Sequence, residues 1–419
     1  MTVVADLLDR IGPVAAPSKG AAEARAWLDR HGLPDRRDEA WRYTPVPAVV
    51  EALAETPPSD AGPVPSGAVP AAIAIDRDLV DRRAGRPDGP RLVVVDGRLA
   101  APLSDLDALP AAVRVGPAGG APGAPPADGF EALGRVVGGG AVAVDVGPGG
   151  DRRLHVVHVA TGRSGGAHPA LSLHVSAGAA FELIETFVGV GAAAVVNAAT
   201  RVTAEDGATV GLVRVVAEDD ESVHVGRTAV ALGRGATLRG TSVLVGGRIA
   251  RHALDVDAAA PGSHVDVAGL AVPRHHDRHD TVVTVDHAGD DVRSGQIFRV
   301  IAADRGRGSF SGHVIVRPGT VGTDADQSSR ALLLGPDAQA DSRPWLEIFA
   351  DDVRCTHGAT VGRLDDDALF YLRSRGIPAA EARRLLVAAF AAEVVDRIGD
   401  TGTREWVEAR VRARTVGAG

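Results

Sequence analysis

The chain opens with Val4, Leu7, Leu8 and Ile11 at i, i+3, i+4 and i+7, the spacing that draws one apolar stripe along a helix. A second helix carrying Trp27 and Leu28 follows, and Gly32 with Pro34 supply its stop. Beyond Glu39-Ala-Trp41-Arg42-Tyr43-Thr44-Pro45, a proline-rich stretch from about Pro57 to Pro70 reads as linker or loop. Residues 1–90 are therefore expected to be a helical N-terminal domain that ends in a linker.

From Arg91-Leu-Val-Val-Val-Asp96-Gly97 the texture changes to short β-branched runs broken by Gly and Asp, which predicts strands. An Ala/Gly/Pro-rich stretch from Gly116 to Gly129 interrupts them and is assigned no role. A turn-like Gly-small-x motif followed by alternating residues recurs at Gly178, Gly207, Gly235 and Gly262, at intervals of 29, 28 and 27 residues. Stacked coils produce such an interval, because each coil buries its apolar face only against its neighbours. An antiparallel sandwich would want two-residue hairpin signals such as Asn-Gly, read here as missing. The expected fold class is mainly β, a parallel β-helix (solenoid) over residues 91–362.

After Gly362 helical patterning returns. Asp365, Asp366 and Asp367 suit the positive end of a helix, and Arg373 and Arg375 suit its other end. Gly376 closes it and Pro378 begins the next, which runs to about Ile398 with Leu386, Phe390 and Val394 on one stripe. A last helix carries Trp406, so residues 363–419 form a C-terminal helical domain.

Composition narrows the function. A chain of 419 residues with 45% apolar residues and a net charge of −9 can bury a large core and calls for no nucleic acid or membrane partner. Asp6 and Asp9 stand where a signal peptide would be apolar, so a cytoplasmic protein is expected. One cysteine allows no internal disulfide. The sole lysine, Lys19 in Pro17-Ser-Lys19-Gly20-Ala, belongs to no P-loop, so the chain should bind no ATP by that route.

Two constellations could carry chemistry. Cys355 and His357 stand two apart, so an extended strand would point both to one face, and a thiolate beside an imidazole can ligate iron or zinc. Iron–sulfur centres usually take four protein ligands, so a cluster held here would be shared with another chain. Against this, a lone cysteine is more often a small buried hydrophobe. The second is His275-His276-Asp277-Arg278-His279-Asp280 with Asp286 and His287, dense enough for a metal site yet also readable as a solvated loop between coils.

Several of these motifs resemble the SufB/SufD family of iron–sulfur cluster assembly proteins, and within it the cysteine-poor SufD branch. They include the run Glu347-Ile-Phe-Ala-Asp-Asp-Val-Arg-Cys355-Thr-His357-Gly-Ala-Thr-Val-Gly362 and the helix Leu369-Phe370-Tyr371-Leu372-Arg373-Ser374-Arg375-Gly376. Upstream Thr323-Asp324-Ala-Asp-Gln327, Leu332-Leu-Leu-Gly335 and Trp41-Arg42-Tyr43-Thr44-Pro45 join them.

The resemblance implies a right-handed parallel β-helix between helical end domains and a non-catalytic scaffold subunit of a SufB–SufC–SufD complex. Its β-helix edge would pair with SufB. The C-terminal helices, with Leu369, Phe370, Tyr371, Arg373, Ser374, Arg375 and Gly376, would dock SufC, the ATPase. His357 and Cys355 would face a nascent Fe–S cluster held transiently at the SufB interface. Two other functions compete: a homodimeric scaffold in which a two-fold axis duplicates Cys355 and His357, and a β-helix carbohydrate-active enzyme using Asp324 and Asp326 as acid and base. Aromatic residues at 3% leave few rings for sugar stacking.

Overall fold

The computed structural model describes residues 3–11, 20–35, 37–55, 75–117, 125–138, 141–149, 152–162 and 166–415. The expected proline-rich linker at 57–70 and Lys19 lie outside the described residues.

In chain order the strands begin with β1 (Arg91–Val95), β2 (Arg98–Leu99), β3 (Val113–Pro117), β4 (Ala141–Val146), β5 (Arg152–Ala160) and β6 (Ala170–Val175). Next come β7 (Ala180–Gly189), β8 (Val195–Ala204), β9 (Thr209–Val216), β10 (Val223–Leu232), β11 (Thr237–Leu244) and β12 (Ile249–Ala258). The series closes with β13 (His264–Ala271), β14 (Arg278–His287), β15 (Arg293–Ala302), β16 (Arg307–Val316), β17 (Thr323–Leu333), β18 (Gln339–Ile348) and β19 (Val353–Gly362).

Successive strands alternate between two sheets. One runs β19-β17-β15-β13-β11-β9-β7-β5-β1-β2, the other β18-β16-β14-β12-β10-β8-β6-β4-β3. Pairing is parallel between coils, so the β-solenoid expected from the glycine interval is the fold. Gly178, Gly207, Gly235 and Gly262 each occupy the turn before a strand of the first sheet with φ of 66°, 68°, 63° and 73°, where a side chain would be strained. Among the described residues, antiparallel pairing is confined to β1 with β2 and β3 with β4. Here the hairpin reading needs correcting, since Asp96-Gly97 joins β1 to β2 as a two-residue turn with both residues at positive φ.

Apolar side chains fill the space between the sheets, among them Leu183, Val210, Leu238 and Val265, with Phe298 stacked on Phe310 at 4.2 Å. Both outer faces are covered by helices. On the second sheet, α1 (Val3–Ile11), α2 (Ala21–His31), α3 (Val46–Glu55) and α5 (Gly129–Val137) cover Val195, Val223, Val225 and Ile249. Between α3 and α5, helix α4 (Arg77–Ala84) packs Val80 against Val93 and Val157. Within the Gly116–Gly129 stretch, Gly116 and Pro117 belong to β3 and Gly129 opens α5. Asp128 caps α5 by accepting from the Glu131 N–H at 2.9 Å.

Helices α6 (Asp366–Ser374), α7 (Ala379–Val395) and α8 (Thr401–Thr415) follow β19, and α7 and α8 cover the first sheet over Val213, Val215, Val243 and Leu270. Asp365 caps α6 through the N–H groups of Asp367 and Ala368, and Gly376 at φ 86° turns the chain toward α7. Helix α7 ends at Val395, short of the expected Ile398. Its contact stripe is Ala382, Val387, Ala391, Val394 and Val395, while Leu386 and Phe390 are half-buried. Among the described residues, no helix is long and apolar enough to cross a membrane.

Candidate functional site at the open end of the solenoid

Strands β18 and β19 end their sheets, so the last coil has no coil beyond it. Each carries one bare edge of backbone N–H and C=O groups. Around that edge Trp345, Ile348, Phe349 and Val361 are exposed, Phe349 by 57% and Val361 by 51%. A long edge strand with apolar side chains is a template for pairing with another chain.

Cys355 pairs in register with Ala325, and His357 with Gln327. Adjacent residues of a parallel sheet share a face, and Ala325 and Gln327 are buried, so Cys355 and His357 both project into the mouth of the solenoid. That is the shared face the two-residue spacing predicted. Cys355 is half-buried against Val314, Val316 and Ala325, whereas His357 is exposed. Burial pushes the Cys355 thiol up, and the nearby Asp324 carboxylate pushes it further, against a lowering contact from the Ala325 backbone. At neutral pH the free chain therefore carries a thiol, which a metal or cation must convert to thiolate. On the opposite face Thr356 donates to Asp326.

Helix α6 stands off the body, with none of its residues buried. Leu369 is half-buried, and Phe370 and Tyr371 are 71% and 57% exposed. The Arg375 guanidinium lies 4.0 Å over the Tyr371 ring, Ser374 Oγ donates to the Tyr371 carbonyl at 2.8 Å, and Arg373 and Gly376 are exposed.

The histidine-rich segment does not converge. His275 occupies a turn at φ 51° beside Asp304 of the next coil, and His276 is exposed. Asp277 pairs with Arg414 of α8, and Asp280 with Arg251. His279 bonds the Gly247 carbonyl at 3.1 Å, Asp286 pairs with Arg317, and His287 bonds Ser294 Oγ at 2.9 Å. Strand alternation sends neighbours to opposite faces, and among the described residues no three His, Cys, Asp or Glu side chains are grouped to hold a metal ion. The exposed apolar rim carries no signal in a linear reading beyond the aromatic and aliphatic run Trp345-Leu-Glu-Ile-Phe349, which ends six positions before Cys355.

Residues 158–390, more than half the chain, match the family model described as SUF system FeS cluster assembly, SufBD core domain. The chain belongs to the SufBD family. Among SufBD relatives, the iron-sulfur cluster assembly protein SufD of Escherichia coli (strain K12) is 32% identical over 407 residues, 93% of this chain and 91% of the relative. An iron-sulfur cluster assembly SufBD family protein of Mycobacterium leprae is 34% identical over 194 residues, 44% of this chain and 50% of its own length. SufD of Bacillus subtilis (strain 168) is 33% identical over 144 residues, covering 34% of this chain and 33% of the relative. The likeness to the first of these spans the end domains as well as the coils. This SufBD chain is accordingly a SufD-like iron–sulfur cluster assembly protein.

Proposed function

We propose that the chain is a non-catalytic scaffold subunit that pairs through its open solenoid end with a SufB-like chain and docks a SufC-like ATPase through α6 and α7. The observation that carries this is the placement of Cys355 and His357 side by side at the mouth of an unpaired coil, ringed by exposed apolar side chains. Two donors leave a cluster incomplete, so a partner edge laid along β19 would supply the remainder. The cluster is cargo, built at the junction and passed on. The exposed Phe370 and Tyr371 suit a separate docking surface.

A physical route joins the two surfaces. Arg299 on β15 bonds Glu393 of α7 at 2.9 Å and the Ser328 carbonyl of β17 at 3.2 Å, and β17 carries β19. Nucleotide-driven movement of the ATPase would pull α7 and thereby loosen the junction at β19. An assembly rate indifferent to ATP in the reconstituted complex would sink this coupling.

The test is co-purification of the chain with SufB-like and SufC-like proteins, comparing wild type with His357→Ala. Complex formation in both, with cluster content lost in the variant alone, is the expected result. Failure of the wild-type chain to form the complex overturns the reading.

A further inference from the structure

Directly beneath His357, in the same inward column, lie Gln327 on β17 and Gln296 on β15. Their relative exposures are 2% and 0%, and the amide nitrogen and oxygen of both have no hydrogen-bond partner among the described residues. Buried polar atoms nearly always have partners, so four unpartnered atoms in one column require an explanation. Gly312 provides the room. A Cβ there would come within 2.9 Å of Gln327 Nε2 and 2.6 Å of the Phe310 ring.

The column is polar only at this end. Below Gln296 it continues as Val267, Gly240 and Leu212, and the stacked Phe298 and Phe310 stand beside it. The seam is blind, two amides deep, and opens on His357. A conduit through the solenoid would need polar side chains to continue down the column, whereas a seam that stops on Val267 serves the group at its mouth.

We infer that Gln327, with Gln296 stacked directly beneath it, is a positioning residue for His357: directly or across one bound water, its amide oxygen accepts from the inner ring N–H and leaves the outer nitrogen's lone pair facing the partner. Adjacent strands stand about 4.8 Å apart, a gap that a glutamine amide spans alone or with one water. Histidines that face metals commonly give their second ring N–H to an oxygen acceptor, which fixes the tautomer. The inference rests on the assignment of His357 to the cluster side of the junction.

The test uses the full chain with 15N-labelled histidine, the His357 ring signals being assigned by their loss in His357→Gln. Wild type should show one dominant His357 tautomer, and Gln327→Leu should lose that signature and give a mixture. Gln327→Glu, which keeps an acceptor oxygen, should restore it, and Gln296→Leu should broaden the balance. Melting should change little, because the substitution gives up at most one bond to an exposed ring, and Gln327→Met serves if the leucine variant does not fold. A tautomer balance identical in wild type, Gln327→Leu and Gln327→Met overturns the inference. Because the ring signals are read without partner or cluster, a His357→Ala complex that keeps its cluster would remove the functional reading alone.

Discussion

Arg251 on β12 and Asp280 on β14 are register partners on adjacent coils, and their buried ion pair, 2.5 Å between Nη1 and Oδ2, is where the N-terminal segment is pinned to the solenoid. Thr44 Oγ1 donates to the same carboxylate at 2.6 Å, Ser309 Oγ donates to its other oxygen at 2.6 Å, and the Arg251 guanidinium lies 4.1 Å over the Trp41 ring. This gives Trp41-Arg42-Tyr43-Thr44 a physical role. Asp280→Ala strands a buried guanidinium, which costs about 3–5 kcal/mol. Thr44→Val removes one bond to a charged group and should cost about 1.5–3 kcal/mol. Urea unfolding followed by tryptophan fluorescence checks both, and equal losses for the two variants would contradict the ranking.

Acid should destabilise the protein from below pH about 6.5. Burial denies water to the imidazolium form and lowers His155 and His279 to about 3, and His168 and His287 to about 4. A depressed folded value means that the unfolded chain binds more protons, so stability is full above about 6.5 and is lost as pH falls toward 3. At pH 5 each of these histidines withdraws roughly 2 kcal/mol, from about 1.4 kcal/mol per pH unit. Asp277 acts in the opposite sense. Burial raises its carboxyl to about 6 despite Arg414, so its contribution is full below about pH 4 and is lost as pH rises through 6. Burial raises the Asp255 carboxyl as well, and two such groups against the four histidines leave the net sign unchanged. Melting temperature should fall between pH 7 and pH 5, and His279→Gln should flatten that slope.

The same histidines show where a linear reading stops. Two apart on an extended strand is a statement about faces, and it held for Cys355 and His357 because β19 is regular and at the edge. The histidine-rich segment instead crosses a turn into β14, so density along the chain became dispersal in space. The coil repeat was legible at Gly178 to Gly262 because a left-handed turn residue favours glycine, but the next coil places Asp291 there at φ 54°. Helix α3 could have been read, since Val46, Val49, Val50 and Leu53 carry the same spacing as Val4 to Ile11. Gln296 and Gln327 could not, because a glutamine in a β-run gives no sign of whether it faces water or the interior.

Cys355 should alkylate slowly at neutral pH for a half-buried thiol, since burial and Asp324 both disfavour the thiolate. Asp324→Asn removes the second cause, so the iodoacetamide rate at pH 7.5 should rise. An unchanged rate would assign the slow reaction to burial alone.

The bare edge makes its own prediction. Val361 and Ile348 are exposed by 51% and 39% on the two strands that close the solenoid. A lysine at either position places a charge where a partner strand would have to lie, the device natural sheets use to block edge pairing. Val361→Lys and Ile348→Lys should abolish co-purification with a SufB-like chain while shifting the chain's own stability by no more than about 0.5 kcal/mol. Retained pairing in both variants would move the interface off this end.

Helix α6 separates the second surface from the first. Phe370 and Tyr371 make no buried contact with the body, so truncating them should leave folding untouched, whereas an aromatic pair at the centre of an interface commonly carries 2 kcal/mol or more of binding. Phe370→Ala should therefore weaken binding of a SufC-like ATPase about 30-fold, from about 1.4 kcal/mol per factor of ten, with an unchanged melting temperature. Arg375→Ala, which only releases the Tyr371 ring from its guanidinium cover, should weaken it less. Titration calorimetry of the three proteins orders the effects. Because α6 joins β19 to α7, the Phe370→Ala chain should still pair through its open end with a SufB-like partner, and loss of both interactions at once would show that the two surfaces are not independent.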